Sequence, residues 1–180
     1  MGAGDYVSSV ILPEFEALKT TPVAICSSQS ARVGHLAKKY AIPKIYGEPE
    51  ELLSDQDVHG LVIATRHHTH ADLVLRALKQ NKHVLVEKPL ALDLGSLNDI
   101  TRAQSDSWGS LTVGYNRRFS ACSVALRAAL SESPAPVQIV ATMNAGSLPE
   151  SHWTQDPLVG GGRILGEACH YFDLAIFLTG

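Results

Sequence analysis

"GLVIATRHHTHADLVLRALKQNKHVLVEKPLAL" (residues 60–92) decides the fold. With the two residues before it, the β-branched run "VHGLVIAT" (58–65) has the composition of a fully buried parallel strand. In "HADLVLRALKQ" (70–80), Leu73, Leu75 and Leu78, with Val74, form the apolar side of an amphipathic helix. "HVLV" (83–86) is the next strand. Moving towards the N-terminus, "EPEELLS" is a short helix, "KIY" (44–46) a short strand and "SARVGHLAKKY" (30–40) a helix with Ser30 as N-cap. "PVAIC" (22–26) is another buried strand. Moving the other way, a helix covers 93–104 and "SLTVGY" (110–115) is a strand. Strand and helix alternate throughout, which predicts a doubly wound parallel α/β sheet.

The texture changes after Phe119. A helix near 121–131 runs into the breaker-rich link "SESPAP". "VQIVATMNAG" (137–146) then reads as a longer strand, and "GGGRILGEACHYFDLAIFL" as a long helix after its glycines. The division predicted is a first domain at 1–118 and the beginning of a second at 119–180. One strand with one or two helices does not close a core of its own.

Composition excludes several classes. The chain has 180 residues, 45% of them hydrophobic, with a net charge of −3, so it lacks the basic excess of a nucleic-acid binder. No apolar run approaches the ~20 residues of a membrane span. The start "MGAGDYV" has no basic n-region or apolar h-region of a secretory signal. Three widely spaced cysteines, Cys26, Cys122 and Cys169, suggest reduced thiols. A cytoplasmic location is the expectation.

"GAGDYV" carries two glycines of a G-x-G-x-x-G turn, Gly2 and Gly4, with Val7 in place of the third. The following "YVSSVILPEFEAL" forms a helix whose N-terminus would offer N–H groups to phosphate, bent or interrupted by Pro13. Such a turn follows a buried strand, and that strand is missing from this sequence. The acidic residue that binds a ribose 2′-hydroxyl belongs just after the second strand; here that strand ends at Cys26, and Ser27 and Ser28 follow. With no carboxylate to repel a 2′-phosphate, the reading leans to NADP over NAD.

"ATRHHTH", "KHVLVEKP", "NRRF" (116–119) and "GGG…CHYFDLAIFLTG" (160–180), in this order, resemble the glucose–fructose oxidoreductase, inositol dehydrogenase and rhizopine-catabolism family (Gfo/Idh/MocA). "HWTQDPLVGGGRILGEACHYFDL" is similar to a subgroup associated with polysaccharide biosynthesis. The resemblance implies a Rossmann-type doubly wound parallel sheet, here lacking its first strand, and the start of a truncated α+β substrate domain. It therefore implies a fragment, cut at both ends or begun at an internal methionine. It also implies an oxidoreductase moving hydride between NAD or NADP and a hydroxyl or carbonyl of a sugar, cyclitol or nucleotide-sugar.

Lys88 ends a strand, where open α/β sheets bind ligands, and could hydrogen-bond a substrate hydroxyl. The resemblance gives it that role and a cis bond before Pro89. His170 is the candidate acid/base, since an imidazole can take a hydroxyl proton at neutral pH. The family has an aspartate four residues before this histidine. Gly166 stands there, with Glu167 beside it, and a one-residue shift turns a side chain by about 100° around a helix. Glu167 is nevertheless kept among the catalytic candidates.

Thr65, Arg66, His67 and His70 lie where the backbone can meet the nicotinamide ribose; Arg66 and His67 replace the family's proline and asparagine. Asp5 and Tyr6 in the glycine turn, and Glu87 beside Lys88, complete the cofactor candidates. A metal bound by His67, His68 and His70 is not expected, because no further ligands have suitable spacing. Asn116 and Arg117 are candidates to line a substrate cleft, and Trp153 to stack on a sugar ring. Asp173 reads as a packing or capping contact of the His170 helix. The expected partners are a small carbohydrate-type substrate, no nucleic acid or membrane, and either a second copy of the chain in a homo-oligomer or a fused or separate partner domain. Two other readings stand beside the dehydrogenase: a non-catalytic cofactor-binding module needing a partner segment, and a redox-neutral NAD-dependent lyase or glycosidase.

Overall fold

A computed structural model describes residues 1–132 and 135–180; Ser133 and Pro134 of the expected link lie outside the described residues. The chain divides into two compact units, Met1–Val113 and Gly114–Gly180.

In the first unit five short strands follow the expected order: β1 (Ala24–Cys26), β2 (Lys44–Tyr46), β3 (Gly60–Ile63), β4 (His83–Val86) and β5 (Leu111–Val113). All pairings are parallel. The ladders form two half-sheets, β2 beside β1 and β3–β4–β5. The helices are α1 (Leu12–Ala17), α2 (Ser30–Lys39), α3 (Pro49–Ser54), α4 (His70–Lys79) and α5 (Leu94–Asp106). A π-turn, Val7–Ile11, runs directly into α1, where Pro13 occupies the first turn. Proline has no N–H to give, so the expected interruption takes the form of this wider turn. At the start of α2 the N-cap position is Gln29, not Ser30.

Side chains alternate between the faces of a strand, and the core divides accordingly. Ile25 packs with Val7, Leu12, Val33 and Leu36, from α2 and the N-terminal helical segment. Its neighbour Cys26 joins Ile63 and Val86 of β3 and β4 and Leu53, Leu78 and Ile100 of α3, α4 and α5. Helices on both faces make the sheet doubly wound. The run 58–65 is not buried on both sides, however. In β3 Leu61 and Ile63 are buried and Val62 is half-buried; in β4 Val84 and Val86 are buried and Leu85 is exposed. α4 and α5 cover the Ile63/Val86 face, and the strand is apolar beyond what that one face requires.

Among the described residues no strand lies between β1 and β3. Met1 and Gly2 bridge this seam at its carboxyl end. The Met1 nitrogen donates to the Val62 carbonyl at 2.5 Å, the Ala64 N–H donates to the Met1 carbonyl at 3.0 Å, and the Gly2 N–H donates to the Cys26 carbonyl at 2.9 Å. Below them the seam continues as a cavity of about 170 Å³, lined by residues that include Val7, Ile25, Leu61 and Val62. The sequence reading counted the strand as missing and did not see that two residues tie the halves together.

In the second unit the turn Asn116–Phe119 leads into α6 (Ala121–Ser131), capped by the Ser120 hydroxyl, which accepts from the Ser123 N–H at 3.2 Å. A π-turn, Ile164–Ala168, opens into α7 (Cys169–Thr179). The strand expected at 137–146 is not formed; these residues carry no regular structure. A strand needs a ladder partner for its backbone groups, and among the described residues none is paired with it. Val137, Ile139, Val140 and Met143 are exposed.

Candidate functional site

The carboxyl ends of β1 and β3 frame a cavity of about 480 Å³, lined by residues that include Gly2, Ser27, Ser28, Thr65, Arg66 and His68. Parallel strands direct their ligands to this end of a sheet. Gly2 has φ +100°, and a Cβ there would lie 2.4 Å from the Ala64 carbonyl oxygen. The glycine is required because the chain passes that closely over the end of β3. Gly4 faces open space and accepts the first helical bond, from the Ser8 N–H at 3.1 Å. The residues just after it begin a helix, whose leading N–H groups have no intrahelical acceptor.

Asp5 and Tyr6 take separate roles. The Asp5 carboxylate accepts from Arg32 of α2 at 2.5 Å, and Arg32 also donates to Ser8 Oγ at 3.1 Å. Tyr6 donates its hydroxyl proton to the Glu87 carboxylate; burial pushes that carboxyl's pKa up, and the tyrosine bond opposes the rise. Two cofactor candidates far apart in sequence are thus brought together. Ser27 Oγ accepts from the Gln29 N–H at 3.3 Å. Glu48, Asp72 and Arg76 complete the polar lining, and Arg76 is paired with Glu50 at 2.5 Å and with Asp72 at 3.2 Å.

After β3, Thr65 Oγ1 shares a 2.6 Å hydrogen bond with Thr69 Oγ1, a contact the sequence reading missed although threonines four apart often meet this way in a turn. Arg66 is exposed. His67 and His70 are buried, 7% and 0% exposed, so their side chains do not present themselves to a ligand; their rings lie 5.8 Å apart. The exposed histidine of this loop is His68. Among the described residues no group of three or more His, Cys, Asp or Glu side chains is gathered as a metal site. Lys88 is half-buried at the end of β4, and the Lys88–Pro89 bond is cis.

In the second unit His170 lies on α7, its ring edge-on to Tyr115 with centroids 6.1 Å apart. Burial pushes the Tyr115 hydroxyl's pKa up. This tyrosine, just before the "NRRF" motif, was not among the sequence candidates. Glu167 is held by Arg163 in a two-pronged pair, Nε to Oε1 at 3.1 Å and Nη2 to Oε2 at 3.0 Å. Both carboxylate oxygens are engaged there. Their i, i+4 spacing was the signal available in the sequence. Asn116 and Arg117 are exposed, and the Arg117 guanidinium lies 4.9 Å over the Tyr171 ring. Arg118 grips Asp173, with Nε 2.9 Å from Oδ2 and a second bond from Nη2 to Oδ1. Asp173 is thus an ion-pair partner that ties α7 to the turn before α6. Trp153 is half-buried beside His152, ring centroids 6.0 Å apart.

Among the described residues no helix is long and apolar enough to cross a membrane.

Residues 1–115 match the Gfo/Idh/MocA family, described as an oxidoreductase family with an NAD-binding Rossmann fold. Myo-inositol 2-dehydrogenase of Thermotoga maritima is 28% identical over 159 residues, covering 87% of this chain and 47% of the relative. Trans-1,2-dihydrobenzene-1,2-diol dehydrogenase of Bos taurus is 31% identical over 159 residues, 86% of this chain and 47% of the relative. The solved structure of levoglucosan dehydrogenase with NADH and levoglucosan superposes with a TM-score of 0.84 at 23% identity, covering 99% of this chain and 52% of that one, which shows a shared fold. The chain spans about half the length of the curated relatives it matches. Parallel half-sheets wound on both faces, a glycine turn packed on the end of β3 and a family match over most of the first unit converge: the chain belongs to the Gfo/Idh/MocA family of oxidoreductases with an NAD-binding Rossmann fold.

Proposed function

We propose that this chain carries the nicotinamide-dinucleotide site of an oxidoreductase that moves hydride to or from a hydroxyl-bearing carbon of a sugar, cyclitol or nucleotide-sugar. The observation that carries the reading is the cavity at the carboxyl ends of β1 and β3, bordered by Gly2 and the helix start beyond Gly4. These residues fit a dinucleotide. A close-packed glycine turn, the leading N–H groups of the helix that follows it and two serines after β1 suit a pyrophosphate and a ribose.

Gly2, Gly4, Ser27, Ser28, Thr65 and Arg66 would hold the cofactor, which supplies the hydride acceptor or donor when bound. Lys88 orients the substrate hydroxyl by a hydrogen bond from its ammonium. In the second unit, His170 is the candidate acid/base, able to take up a hydroxyl proton and to return it in the reverse direction. Asn116, Arg117 and Trp153 contact the substrate. The absence of a carboxylate directly after Cys26 favours NADP. Relatives named as inositol and dihydrodiol dehydrogenases support a polyhydroxylated substrate class, within which a role in polysaccharide biosynthesis is the narrower reading.

A second reading, cofactor binding without turnover, is favoured by one observation: Gly166 stands at the expected carboxylate position and Glu167 is engaged by Arg163. Fluorescence titration with NADPH and NADH, followed by single-turnover absorbance with a panel of sugars and cyclitols, separates them. Net reduction of NADP supports the oxidoreductase. Binding with no absorbance change supports the second reading, and transient reduction that reverses points to redox-neutral chemistry. No binding of either nucleotide refutes the dinucleotide site.

A further inference from the structure

His70 is the first residue of α4 and is fully buried. Its Nδ1 lies 2.8 Å from the Pro89 carbonyl oxygen and its Nε2 3.2 Å from the Thr65 carbonyl oxygen. Thr65 belongs to the loop after β3, and Pro89 directly follows Lys88 after β4. One ring therefore spans the loops leaving two neighbouring strands, at the end of the sheet where the cofactor cavity opens.

We propose that His70 is a positioning residue: by donating its Nδ1 proton to the Pro89 carbonyl, it fixes the Lys88–Pro89 segment to the loop after β3 and so holds Lys88 in place beside the nucleotide. The inference rests on the dinucleotide reading for its purpose, though not for its geometry. A neutral imidazole carries one N–H, so only one of the two carbonyls can receive it, and we assign it to the closer one. Burial lowers the ring's pKa, opposed by its bonds to the Pro89 and Thr65 carbonyls. The side chain is out of a ligand's reach, so its effect passes through the backbone it holds. The sequence puts His70 near the nicotinamide ribose but carries no sign of its contact with the Pro89 carbonyl.

The test has a part that needs no substitution. In the full chain labelled with ¹⁵N-histidine, long-range proton–nitrogen spectra should place a proton on Nδ1 of His70. A neutral ring protonated on Nε2 alone overturns the proposal. The second part compares His70→Leu with His70→Asn, whose amide nitrogen occupies the place of Nδ1. In hydrogen exchange, His70→Leu should speed exchange locally in residues 86–91 while distant segments hold, and should weaken NADPH binding about tenfold, as the loss of one buried hydrogen bond implies. His70→Asn should restore both to within about threefold. A folded His70→Leu chain with unchanged local exchange and affinity, or an asparagine variant no better than leucine, refutes the clamp. Should the leucine variant not fold, the position of the ring proton and the asparagine variant decide. A wild-type chain that binds neither nucleotide defeats the dinucleotide reading, while the ring proton and the exchange pattern still judge the clamp.

Discussion

Replacing Gly2 and Gly4 separately by alanine tests the site most directly, because the structure assigns the two glycines opposite tasks. At Gly2 a side chain meets two obstacles. The backbone sits at φ +100°, and the new Cβ falls 2.4 Å from the Ala64 carbonyl oxygen and 3.0 Å from its carbon. Holding an L-residue in that conformation costs about 1–3 kcal/mol. The carbonyl must retreat, which strains the bonds from the Gly2 N–H to Cys26 and from the Ala64 N–H to Met1, each worth about 0.5–1.5 kcal/mol. The sum for Gly2→Ala is about 2–6 kcal/mol. At Gly4 a Cβ meets nothing within 4 Å, and Gly4→Ala should change stability by no more than about 0.5 kcal/mol. Urea denaturation followed by far-UV circular dichroism reads the difference as a midpoint about 1–2 M lower for Gly2→Ala alone. Nucleotide affinity should divide differently: Gly4→Ala places a methyl where the pyrophosphate approaches the backbone and should weaken NADPH binding about tenfold or more in a chain of unchanged stability. Equal midpoints for the two variants would refute the packing argument. Unchanged affinity in Gly4→Ala would refute the phosphate assignment.

Other outcomes follow from single features. Ser28→Asp puts a carboxylate after β1 and should move preference from NADPH towards NADH by about tenfold or more, measured as the ratio of dissociation constants. Leu78, 1% exposed in the α4 face, should cost about 2–5 kcal/mol as Leu78→Ala, whereas Leu94→Ala, at a site 77% exposed, should lie within about 0.5 kcal/mol of wild type. Lys44 and Tyr46 hold the Asp55 carboxyl down to about 2 from its usual 3.8. An acid depressed on folding contributes stability above its unfolded pKa and loses it as the pH falls through the folded one. Stability should therefore decline between about pH 4 and pH 2, and an acid titration of Asp55→Asn should show a shallower decline.

Most of the first unit's architecture was written locally. "HVLV" and "VHGLVIAT" are β-branched runs between turn residues, and Leu73, Val74 and Leu78 fall at helical spacing, so strand and helix order followed from short windows. What those windows hid was pairing over distance. A strand at 137–146 has the right composition, yet a strand exists by virtue of its neighbour, and composition does not supply one. The bond from Tyr6 to Glu87 and the grip of Arg118 on Asp173 join residues 81 and 55 positions apart, beyond any periodicity. Candidate residues at strand ends were legible because parallel sheets send ligands there. The split between the exposed His68 and the buried His67 and His70 was not, because the three sit within four residues of one another and differ only in how the loop turns.

The seam between β1 and β3 bears on how the protein behaves when crowded. A ladder of unmatched amides recruits any extended chain that fits, whether the edge lies at the margin of a sheet or within it. Here the two facing edges are only three and four residues long, which limits the invitation, and the Met1–Gly2 brace closes one end of it. Loosening that brace, as Gly2→Ala would, uncovers the facing edges of β1 and β3. The damage should then surface as self-association that grows with concentration, ahead of any loss of helix.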